Sequence, residues 1–144
     1  MNKKDEALSL FKQGYSCSQA VAAVFAEDHG LPVATAFRLS QGFGGGMARL
    51  AETCGAVTGA IIVVGLKHGR TRPEDDAAKE RTYSLVQEFV RRFRSRHGAL
   101  LCRELLGCDI GTAEGRKRVA DEKFHDDLCP LLIASAVEIL EDIL

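Results

Sequence analysis

Residues 42–69 read GFGGGMARLAETCGAVTGAIIVVGLKHG, a glycine-dense turn that runs into an apolar stretch holding one cysteine, Cys54. No other segment constrains the fold as strongly. Its run Ile61-Ile62-Val63-Val64 is β-branched, but it continues from Met47 without a turn signal, and that length favours helix over strand. The pattern predicts a central helix from Met47 to Lys67, ended by Gly69. Gly55 and Gly59 form a small-xxx-small face on it. Each glycine inside a helix costs about 0.8–1.0 kcal/mol relative to alanine, so the face implies close approach by another helix or by a second chain. The apolar run Cys54–Leu66 is shorter than the roughly 20 residues a membrane span needs.

The remaining periodic segments also read as helices. Asp5–Gln13 places Ala7, Leu8 and Phe11 on one side and stops at Gly14. Ser16 and Gln19 have capping-box spacing for a second helix reaching His29. Ala34–Ser40 is a short third helix that leads into the glycines. Pro73 is expected to open a helix to Arg96, with Glu74, Asp75 and Asp76 near the positive end of its dipole. Leu101–Leu106 is a helical turn closed by Gly107, Thr112–Lys123 a polar helix, and Pro130 the opening of a last apolar helix. The expectation is an all-α fold, one domain over residues 1–144, a helical bundle around the glycine-rich central helix. A chain of 144 residues buries enough surface to fold without disulfides.

The net charge of −1 gives no general attraction for nucleic acid or an anionic membrane, and neither is expected as a partner. Arg91, Arg92, Arg94 and Arg96 crowd one helix end, where cations complement the dipole. The N-terminal residues lack an apolar run of signal-peptide length, so a cytoplasmic location is expected. Five cysteines, an odd number, are unlike a secreted disulfide framework. In a reducing compartment they point to catalysis or metal binding instead.

Cys17 follows the predicted cap Ser16, and Cys129 precedes Pro130 in the cap position of the last helix. Unsatisfied N–H groups and the helix dipole favour thiolate at such places, and thiolate is both the nucleophile and the metal ligand. Cys54, inside the expected central helix, gains little from a dipole. Cys102 and Cys108 flank residues 103–107 without forming a Cys-x-x-Cys pair. His125 lies four residues before Cys129, within reach of a role as proton donor or ligand. The glycines at 42, 44, 45 and 46, with Arg49 behind them, could meet an anion. Met47 replaces the third glycine of a dinucleotide-binding turn and no strand precedes it, which excludes that fold.

The segments Gly14-Tyr15-Ser16-Cys17-Ser18-Gln19-Ala20, Gly42–Gly46, Glu52-Thr53-Cys54-Gly55-Ala56-x-x-Gly59-Ala60, Cys102–Gly107 and Cys129-Pro130-Leu131-Leu132 together resemble the C-GCAxxG-C-C family. The resemblance spans nearly the whole chain. It implies a helical domain with a redox role and maps the family's four cysteines onto Cys17, Cys54, Cys102 and Cys129, leaving Cys108 as an extra. A similar domain joined to cytochrome modules brings an iron–sulfur centre into consideration, although this chain has no haem-attachment motif. The leading expectation is a thiol-based redox protein, a candidate oxidoreductase with an unknown redox partner. In it Cys17 and Cys129 are the better nucleophiles and Cys54 is their buried partner. The rivals are a four-cysteine site for zinc or an iron–sulfur cluster, working in electron transfer, and an interaction protein that buries the glycine face as a homodimer.

Overall fold

The computed structural model describes residues 1–144 and is all-α. Ten α-helical segments follow in order: α1 Lys3–Lys12, α2 Cys17–Ala26, α3 Val33–Ser40, α4 Gly44–Met47, α5 Gly55–His68, α6 Asp76–His97, α7 Cys102–Leu106, α8 Ala113–Asp121, α9 Phe124–Asp127 and α10 Cys129–Ile143. Extended pairing is confined to a single antiparallel bridge between Thr53 and Leu101. No helix is long and apolar enough to cross a membrane.

Local signals explain most helix starts. Asn2 accepts from the Asp5 N–H at 2.8 Å to begin α1. At α2, Ser16 caps Gln19 while the Gln19 side chain answers the Ser16 N–H, the reciprocal pair that the sequence spacing predicts. Thr112 caps α8. Pro73 does not open α6. The cap is Asp75, which accepts from the Ala78 N–H at 3.1 Å, and Pro73 stays in the preceding turn. The four-residue α9 has no counterpart in the sequence pattern, which leaves 124–128 between two helices.

The largest correction falls on the central helix. It begins at Gly55, not Met47, and Cys54 is its N-cap rather than an interior residue. Upstream, α4 is a turn whose Gly45 and Gly46 are left-handed, and positive φ persists through Met47, Ala48 and Arg49 and recurs at Ala51. Side-chain-bearing residues avoid this region at roughly 1–2 kcal/mol each. What holds them there is pairing across the chain. Cys54 N–H donates to the Leu100 carbonyl at 2.8 Å, Cys102 N–H to Glu52 at 2.6 Å, and Arg103 N–H to Ala51 at 3.2 Å. Residues 51–54 are thereby drawn out of any helix and laid beside 100–103.

From Gly55 onward the apolar stretch behaves as its composition requires. Ala56, Val57, Ala60, Val63 and Val64 are buried, and α5 packs against α2, α6 and α10. The glycine face meets α2 of the same chain. A Cβ on Gly59 would lie 2.8 Å from the Ser18 carbonyl oxygen, and one on Gly55 3.1 Å from the Ser18 amide nitrogen. Phe89 and Phe93 of α6 and Leu132, Ile133, Val137 and Leu140 of α10 complete the core. Polar pins fix α2 against α3. The buried Ser18 hydroxyl donates to Ser40 at 2.8 Å, and Gln19 Nε2 donates to Phe37 at 3.0 Å and to Gln41 at 2.9 Å.

Candidate functional site

Cys17, Cys54, Cys102 and Cys129 all line one cavity of about 660 Å³. Each stands at the start of a different helix: Cys17 of α2, Cys54 as the cap of α5, Cys102 of α7 and Cys129 of α10. Cys129 is the first residue of α10 rather than its cap; Leu128 takes that position and Pro130 follows inside the first turn. Helices α2, α5 and α10 are long enough for a dipole to matter at their ends. Helix α7, at five residues, is not.

The glycines set how closely these helix starts approach. A Cβ on Gly55 would stand 3.2 Å from the Cys17 Cβ, and one on Gly46 only 2.7 Å from the Cys102 Cβ. Gly44 is as tight against Ser16, at 2.9 Å. The bridge at Thr53 and Leu101 sets Cys54 and Cys102 as diagonal neighbours on two short paired segments. Cys54, Cys102 and Cys129 are buried and Cys17 is half-buried.

The four thiols are not electrostatically equal. The neighbouring Cys17 thiol holds Cys129 below the ordinary thiol value, against burial and the nearby Asp126 carboxylate, which both push it up. Cys17 moves well above the ordinary value, first through its neighbour Cys129, then through burial and the other sulfurs. The two helix starts are therefore not equivalent: Cys129 is shifted toward thiolate and Cys17 away from it, where the sequence reading favoured thiolate at both. Burial pushes Cys54 up to about 11, even though the Ala56 and Val57 N–H groups favour its thiolate. Burial, then repulsion from Cys54, Cys129, Cys108 and Asp109, pushes Cys102 up to about 12.

Cys108 is not part of the cavity wall; its S–H points at the Gly115 carbonyl, 3.8 Å away. His125 does line the cavity, with its ring 4.4 Å from Phe11 and its Nδ1 3.5 Å from Asp126. Tyr15 and Gln41 had no role in the sequence reading, yet both line the cavity, and so does Arg49, which that reading set behind the glycines as a contact for an anion. Tyr15, stacked on Phe37 at 4.2 Å, could have been found from its place in the segment before Cys17.

The model of the family described as "Putative redox-active protein (C_GCAxxG_C_C)" matches residues 15–143. The chain belongs to this family. The matched span runs from the residue before the α2 cap to the last residue of α10, so it contains every cavity-lining cysteine. No curated protein and no solved structure matches the chain. The family's description gives a redox role in outline, and the ligand chemistry has to come from the site itself. No group of three or more His, Cys, Asp or Glu side chains is arranged to hold a metal ion.

Proposed function

We propose that this family member is a dithiol–disulfide redox protein whose working pair is Cys17 and Cys129. The observation that carries this reading is the convergence of Cys17 and Cys129, from two helix starts, on one cavity, where the Cys17 thiol lowers Cys129. Cys129 is the attacking thiolate. Cys17 stabilises it by donating its S–H, then becomes the resolving thiol once that proton has left. The half-reaction converts two thiols to one disulfide with release of two electrons and two protons. Cys54 and Cys102, held protonated by burial, act as a reserve pair that stays reduced while Cys17 and Cys129 cycle. Five free thiols suit a reducing, cytoplasmic setting. The close packing of the glycine face on α2 removes the argument that a homodimer is needed to cover it.

Intact mass and peptide mapping of protein titrated with oxidised glutathione test the assignment. The first product to appear is a Cys17–Cys129 disulfide, and in reduced protein Cys129 is alkylated first near neutral pH. Replacing Cys17 by alanine removes the donor and moves the pH midpoint of Cys129 alkylation upward. Four thiols that stay reduced in folded, oxidant-treated protein, or a Cys129 no faster to alkylate than Cys54, would overturn the reading.

A further inference from the structure

The cavity wall carries one permanent charge. Arg49 is its only Lys, Arg, Asp or Glu residue, and the rest of the lining is aromatic, aliphatic, thiol, glycine, alanine, serine, glutamine and His125. Neighbouring arginines are already engaged. Arg103 pairs with Glu52 at 3.3 Å, Arg116 donates to the Ile110 carbonyl at 3.0 Å, and Arg118 to Gly107 at 3.1 Å. The Arg49 guanidinium is exposed and has no ion pair or hydrogen bond within the chain. Its backbone is one of the left-handed positions, at φ 64°, and its side chain leaves a turn closed by Arg49 N–H to Gly44 at 3.3 Å and Glu52 N–H to Gly46 at 2.9 Å. Several non-glycine residues in so disfavoured a conformation, next to a cavity, are the kind of strain that gathers at ligand sites. The volume lies within the range of about 300–1,000 Å³ usual for small-molecule sites.

We propose that the cavity binds a small disulfide bearing a carboxylate, with Arg49 holding the carboxylate at the rim and the sulfur–sulfur bond presented to Cys129. This rests on the thiol-redox reading and adds the class of substrate. The Cys129 thiolate attacks one substrate sulfur, giving a mixed disulfide and releasing the other half as a thiolate. That thiolate takes the Cys17 proton. The Cys17 sulfur then attacks Cys129 Sγ, forming the Cys17–Cys129 disulfide and releasing the second half, which takes a proton from water. One substrate disulfide becomes two thiols as one protein dithiol is oxidised.

Charge selectivity tests this directly. Reduced protein is mixed with dithiodipropionate, hydroxyethyl disulfide or cystamine (anionic, neutral and cationic), and Cys17–Cys129 formation is timed by acid quench. Each rate is divided by that of a free small thiol with the same disulfide, which cancels intrinsic reactivity. Wild type favours the anionic probe over the neutral one by about fivefold, the scale of one ion pair at a solvent-open rim, and disfavours the cationic one. Arg49→Gln erases the preference and Arg49→Lys retains it. Because the readout is a ratio between probes, a general slowing caused by disturbing the turn does not imitate the result. Equal normalised rates in wild type, or a preference that survives Arg49→Gln, overturn the substrate assignment alone. Failure of all three probes to oxidise the pair overturns the thiol-redox reading as well.

Discussion

Cys54 and Cys102 show what burial does to a thiol at the start of a helix. Cys54 sits where the Ala56 and Val57 N–H groups favour a thiolate, while Cys102 opens a helix too short to help; both are held protonated, at about 11 and about 12, chiefly by burial. This couples stability to alkaline pH. In the unfolded chain each thiol ionises near its ordinary value of 9.0, while in the folded chain it cannot do so until pH approaches 11 or 12. The stabilisation is whole below pH 9 and is lost as pH rises through that window, by about 3 kcal/mol for Cys54 and about 4 kcal/mol for Cys102. Cys129, with its value depressed, works in the opposite sense and gains stability as pH rises toward 9. Urea midpoints of reduced protein measured at pH 8 and pH 10.5 check the balance. The midpoint falls in wild type and falls less in a Cys54→Ala, Cys102→Ala double variant; equal falls in the two proteins would exclude this role for the buried thiols.

At the scale of elements, the contact between α5 and α2 makes opposite predictions for two glycines on one helix. Gly59→Ala relieves the intrinsic helix penalty but drives a Cβ to 2.8 Å from the Ser18 carbonyl oxygen, and backbone cannot give way as a side-chain tip can. The net loss is about 1–3 kcal/mol, typical of overpacking. Gly65 has no atom within 4 Å of a built Cβ, so Gly65→Ala gains about 0.8–1.0 kcal/mol. Chemical denaturation of the two variants should show shifts of opposite sign. This face was legible in the sequence because a helix shows its close contacts through its small residues. The start of the helix was not. Met47, Ala48, Arg49 and Ala51 are ordinary helix-compatible side chains that carry no local signal for left-handed backbone. What places them is the pairing of 51–54 with 100–103, a contact between residues about fifty positions apart that periodicity does not see. Misplacing that boundary also misplaced Cys54, since a residue read as helix interior is its cap.

Across the whole molecule, the four family cysteines come from both ends of the chain and from two places between, and the fold closes them around one cavity. The sequence marks out the four cysteines, but that they share one cavity, with Cys17 and Cys129 shifted in opposite directions, belongs to the tertiary structure. The same long separation has a thermodynamic consequence. A Cys17–Cys129 bond joins the first turn of α2 to the first turn of α10 and encloses most of the chain. Closing a loop of about 100 residues removes unfolded-state entropy worth up to about 4.7 kcal/mol, whereas a Cys54–Cys102 bond would enclose less than half that length and remove less. Oxidation of the proposed pair should therefore raise the urea midpoint, with a gain of about 3–4 kcal/mol once some native-state strain is allowed for. Oxidised and reduced samples compared at one pH, with the Cys17→Ser protein as the form unable to make the bond, measure it. A midpoint unchanged by forming the mapped Cys17–Cys129 bond would mean that the folded state is strained by as much as the unfolded state is constrained. The two helix starts would then have to move apart on reduction, and hydrogen exchange at the first turns of α2 and α10 would report that movement as faster exchange in the oxidised protein.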